Sequence, residues 1–129
     1  MDGKDYTKYD VTVAGTTSAG LSKQTAIKAM VVGLSGSGLP RATIQGATAP
    51  KRWHAVQPLE GETVQAAFER QFPDRGTGHW FDLGISDEQG CWVMPRLGGT
   101  KAERYLSDLV AAAQGQVSAS WSVAAADAA

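Results

Sequence analysis

The 129-residue chain has one cysteine, Cys91, so no internal disulfide can form. This excludes the small disulfide-stapled scaffolds and fits a reducing compartment. Apolar runs of about 18 residues are absent, which removes any expectation of a helical membrane span. The opening residues, Met1-Asp2-Gly3-Lys4-Asp5-Tyr6, are polar and lack the apolar stretch of a secretory signal. A cytoplasmic protein with no membrane partner is the expectation. No repeat recurs at periods of about 20–50 residues, which sets aside solenoids and propellers.

The most informative absence is of negative charge. From Val11 to Leu59 there is no Asp or Glu, while Lys23, Lys28, Arg41, Lys51 and Arg52 supply five positive charges. From Glu60 onward ten acids face five bases, so a net charge of −1 hides a segregated chain. Segregation of this kind points to an anionic partner for the first half, provided the bases share a face.

Catalytic constellations are missing as well. His54, His79, Cys91 and Asp82 are the residues a metal or a thiol nucleophile would need, but none lies at a recognised ligand spacing. The histidines read as partly buried strand residues. Cys91 reads as a small apolar residue in a Trp-Val-Met strand. Paired carboxylates in an apolar setting do not occur. A non-enzymatic protein without cofactor or metal is expected.

What is present suffices for one globular core, since 43% of residues are hydrophobic. The expectation is a single α+β domain over residues 1–123 and a disordered tail at 124–129. Tyr9, Val11 and Val13 alternate with polar neighbours and predict a strand over 9–14. Gly15 to Gly20 read as a loop. Ser22 is a good N-cap for a helix from Lys23 to about Leu34, stopped by Ser35-Gly36-Ser37-Gly38. Pro40 opens a short helix through Gln45, closed by Gly46.

Further along, Trp53–Leu59 predicts a strand, and Thr63–Phe72 a helix with Val64, Ala67, Phe68 and Phe72 as its apolar stripe. His79–Ile85 and Cys91–Met94 predict a hairpin. Thr100 and Glu103 form a capping box for a helix that buries Tyr105, Leu106, Leu109, Val110 and Ala113, with Gly115 as its cap. Val117–Val123 predicts the last strand. The order is β-α-α-β-α-β-β-α-β, on a mixed or antiparallel sheet with helices on one face. Its second part, β-α-β-β-α-β, matches the split-βαβ, ferredoxin-like arrangement. A winged-helix-like alternative pairs a helix-turn-helix at 9–59 with the 79–94 hairpin as wing.

Three stretches invite a binding reading. Gly15-Thr16-Thr17-Ser18-Ala19-Gly20-Leu21-Ser22-Lys23 approaches a phosphate-binding loop, but its lysine falls two residues late and no magnesium-holding hydroxyl follows. Specific ATP or GTP binding is not expected. A weaker anion seat at Ser22 and Lys23, on the free amides of a helix start, survives. Leu97-Gly98-Gly99-Thr100 offers a similar helix entry. Pro50-Lys51-Arg52-Trp53-His54 sets two cations beside an aromatic, so Trp53 could stack a base while Lys51 and Arg52 neutralise phosphate, with Arg41 joining them.

Ser22-Lys23 at an early helix start, Gly38-Leu39-Pro40 stepping into a second helix, and His79-Trp80-Phe81 before Thr100 form a pattern across residues 9–114. In this the chain resembles small, winged-helix-like accessory domains attached to bacterial restriction-type nucleases. The resemblance implies nucleic-acid contact in a bacterial or phage-like setting and carries no catalytic residue with it. The leading expectation is a nucleic-acid-binding module using Lys23, Lys28, Arg41, Lys51, Arg52 and Trp53. The alternative is a protein-interaction or assembly module. It would dock a partner chain through its acidic second half or its hairpin, with Cys91–Met94 as an edge strand and Trp92 outward.

Overall fold

The computed structural model describes residues 7–48, 52–74, 80–95 and 101–124. It has the expected α+β class, built from helices and two small antiparallel sheets. The chain forms two compact units, Met1–Thr48 with Leu97–Ala129, and Ala49–Arg96.

The first unit opens with β1 (Tyr9–Val13) and β2 (Thr16–Leu21). They are joined by Ala14-Gly15, with φ of 50° and 85°. Two consecutive left-handed residues between paired strands make a type I′ hairpin turn. β2 replaces the loop expected over Gly15–Gly20. The glycine that suggested a loop, Gly20, instead sits at a bulge in the β1–β2 register, at φ 67°, and donates its N–H to Asp10 Oδ1 at 2.9 Å. α1 (Lys23–Gly36) follows, then α2 (Arg41–Gly46). α4 (Ala102–Ala113) and β6 (Ala119–Val123) return to this unit from the end of the chain.

The first sheet has strand order β2-β1-β6, all antiparallel. Tyr9, Val11 and Val13 point to one face and are buried there under α1, while α4 packs against β6. Helix α1 approaches closely at Gly33, where an added Cβ would lie 3.1 Å from Val13. Helix α4 is tied down by Tyr9, whose hydroxyl donates to Glu103 Oε2 at 2.9 Å. Ala26, Ile27, Met30, Val31 and Leu34 of α1 meet Leu106, Leu109 and Ala113 of α4 in this core. The opposite face is polar, with Asp10, Thr12, Thr17, Ser120 and Ser122.

The second unit contains β3 (His54–Val56), α3 (Val64–Gln71), β4 (Trp80–Asp87) and β5 (Gly90–Pro95). Its sheet has order β3-β5-β4. Val56, Ala67, Phe68 and Val93 form its buried cluster, with Val64, Phe72, Trp80 and Cys91 packed against it, as the stripe on α3 predicts.

The succession β-α-β-β-α-β after Trp53 is present, but it does not build one ferredoxin-like sheet. β6 pairs with β1, not with β3, β4 or β5. In the winged alternative, the helices α1 and α2 fall in the first unit and the hairpin β4–β5 in the second. In helix α4, Tyr105 and Val110 are half-buried at the margins of the stripe, while Ala102 is buried within it. Thr100 lies outside the described residues. Lys101 occupies the cap position of α4 and makes no side-chain capping bond.

Candidate nucleic-acid interface

Ser22 is the N-cap of α1, as its sequence position predicts. Its hydroxyl accepts from the Thr25 N–H at 3.4 Å and bonds the Thr25 hydroxyl at 2.9 Å, while its carbonyl accepts from the Ala26 N–H at 2.7 Å. Lys23 and Lys28 follow on the same helix and are half-buried. Five residues apart, they project about 140° from one another around the axis. Arg41 opens α2, and its Nη1 donates to Gln45 Oε1 at 2.7 Å. The helical segment from Lys23 to Gly46 holds these three bases and no acid.

The remaining sequence-selected residues fall in the second unit. Lys51 lies outside the described residues, and Arg52 is exposed. Trp53 is 4% exposed and packs against Trp92 with ring centroids 6.4 Å apart. A buried indole cannot stack a base, so the expected platform role is withdrawn. Trp92, expected to point outward, is likewise buried, and its strand β5 is the central strand of its sheet. The docking edge expected at Cys91–Met94 is therefore already paired on both sides over Cys91–Val93.

The other chemical candidates take structural positions. The stretch that approached a phosphate-binding loop is strand β2. Asp82 accepts the Gly84 N–H at 3.0 Å across a bulge in the β4–β5 register, with Gly84 at φ 69°. His54 packs among Phe72, Trp80 and Phe68, at centroid distances of 4.7, 5.3 and 6.5 Å. Cys91 is half-buried against the second unit's core. His79 and Leu97–Thr100 lie outside the described residues. Among the described residues, no group of three His, Cys, Asp or Glu side chains is placed to hold a metal ion.

Sequence reasoning missed a polar clamp around residues 57–71. Arg70 Nη2 donates to Glu62 Oε1 at 2.9 Å and to the Gln57 carbonyl at 2.9 Å, and Nε donates to Glu62 Oε2 at 3.1 Å. Glu62 Oε1 also accepts the Leu59 N–H at 2.9 Å. Gln71 Oε1 accepts the Gln57 N–H at 2.6 Å, and Gln57 Nε2 reaches the Gln89 carbonyl at 2.6 Å. The hydrogen bond from Arg70, then that from the Leu59 amide, hold the Glu62 carboxyl below its ordinary pKa. Glu62 precedes α3 and Arg70 lies in its last turn, eight residues on, so no helical pairing rule exposes the pair.

Comparison with known proteins finds no matching family model, no matching curated protein and no matching solved structure.

Proposed function

We propose that the chain is a binding module that contacts the phosphate backbone of a nucleic acid through helices α1 and α2. The observation that carries this reading is the acid-free segment Lys23–Gly46 with Lys23, Lys28 and Arg41. A phosphate contact by Lys or Arg releases condensed counterions, so binding through these bases weakens as salt rises. The amides at the start of α1, beside Lys23, add an anion-favouring field. With Trp53 buried, the module reads charge and shape, not unstacked bases.

The test is fluorescence anisotropy with labelled single- and double-stranded oligonucleotides at low salt. The variant Lys28→Gln/Arg41→Gln should weaken binding uniformly across sequences. Equal affinity of wild type and variant would remove the reading.

A further inference from the structure

The two sheets have four edges, formed by β2 and β6 in one and by β3 and β4 in the other. An open edge is a template for another strand, and proteins guard edges with bulges, charge or shortness. β2 carries the bulge at Gly20 and β4 the bulge at Gly84, with Asp82 and Asp87 on its length. β3 has only three residues. β6 has none of these devices: all five of its residues pair with β1 in unbroken register. From Leu109 to Ala126 the sequence holds no charged residue. Among the described residues no strand lies beyond it.

We propose that β6 is a self-association strand, pairing antiparallel with β6 of a second copy about a two-fold axis at Trp121. The backbone direction favours it. Ala14 N–H donates to the Ser118 carbonyl at 2.8 Å, and Ala124 N–H to the Lys8 carbonyl at 2.9 Å. In an antiparallel ladder, bonded and non-bonded pairs alternate. Ser118, Ser120, Ser122 and Ala124 therefore aim their main chain at β1, and Ala119, Trp121 and Val123 aim theirs at the open edge.

The side chains argue for a second copy as the occupant. Ala119-Ser120-Trp121-Ser122-Val123 reads apolar-serine-apolar-serine-apolar in either direction. The two-fold sets Ala119 opposite Val123, small against large, and Ser120 opposite Ser122, hydroxyl against hydroxyl. Trp121 meets its own copy on the axis. Aromatic and hydroxyl cross-strand pairs of this kind are favourable. Val123 is 53% exposed and Trp121 half-buried against Tyr9, at a centroid distance of 5.8 Å, so apolar surface is available to cover. The contact is isologous and closes on itself, and the bulged β2 ends the resulting six-stranded sheet on both sides. The proposal stands independently of nucleic-acid binding.

Sedimentation of the full chain across a concentration series tests it, with far-UV circular dichroism as the fold control. The wild type should approach twice the 13.6 kDa chain mass. Val123→Lys, at an exposed position, should stay at one chain mass with an unchanged spectrum. Ala119→Pro should do the same, because it removes an amide aimed at the partner and none used by β1. If Ala119→Pro disturbs the spectrum, Val123→Lys decides alone. A wild type that stays monomeric up to hundreds of micromolar overturns the proposal. So does a dimer indifferent to Val123→Lys, or a mass that grows past two copies.

Discussion

Gly90, the first residue of β5, has φ 134°, and an added Cβ would lie 2.5 Å from the Val56 carbonyl oxygen and 2.8 Å from Gln57 Nε2. Both the backbone conformation and the approach of β3 require glycine there. Gly90→Ala should cost at least about 2 kcal/mol in a denaturant melt. Ala14 gives the opposite case. It holds φ 50° in a type I′ turn, where an L-residue with a Cβ is strained and asparagine is preferred. Ala14→Asn should raise stability by about 0.5–1 kcal/mol. Trp53 shows what residue type alone leaves open, since an indole beside two cations suits either a stacking platform or a core. Its packing on Trp92 is set by a strand pairing about 40 residues away in sequence, Ala55 with Trp92, which no local pattern encodes.

The helices with an apolar stripe are where the sequence read most clearly. α3 begins after Thr63, whose hydroxyl accepts the Ala66 N–H at 3.0 Å, and buries Ala67 and Phe68 of its stripe, with Val64 and Phe72 partly buried against them. Thr63→Ala should cost about 1 kcal/mol. Leu106→Ala in α4, at a fully buried position, should cost more, about 2–5 kcal/mol. Denaturant melts that reversed this ranking would show the stripe of α4 to be misassigned. β2 was illegible for a physical reason. Thr16–Gly20 is exposed along its length, so no alternation marks it, and its pairing with β1 rests on backbone bonds and on the 2.8 Å contact between the Thr12 and Thr17 hydroxyls. The clamp that joins residues 57–62 to α3 depends on pH. Because the folded state lowers the Glu62 pKa, its contribution is present above the ordinary carboxyl value of 4.5 and is lost as pH falls through the lowered value. Glu62→Gln should destabilise the protein at neutral pH, and the difference from wild type should shrink as pH falls below 4.5 through the lowered value.

At the scale of the whole molecule, topology redistributes the charge that the sequence segregates. Residues 97–129 rejoin the first unit, which then holds seven bases and six acids, while the second unit holds five bases and seven acids. The order of elements after Trp53 was legible from periodicity and turn residues. Their division between two sheets was not, because β6 has equal local reason to join either, and the alternation of Val11 and Val13 names no partner. Any anionic contact therefore rests on the acid-free helices α1 and α2 more than on a basic half of the molecule. The most direct measurement is the salt dependence of oligonucleotide affinity for the intact chain. Because Lys23 and Lys28 project to different sides of α1, contacts drawn from Lys23, Lys28 and Arg41 predict that log affinity for duplex falls against log salt with a slope no steeper than about −3, and that Lys28→Gln/Arg41→Gln flattens it. No measurable binding at low salt, or a slope that the double variant leaves unchanged, would contradict the account.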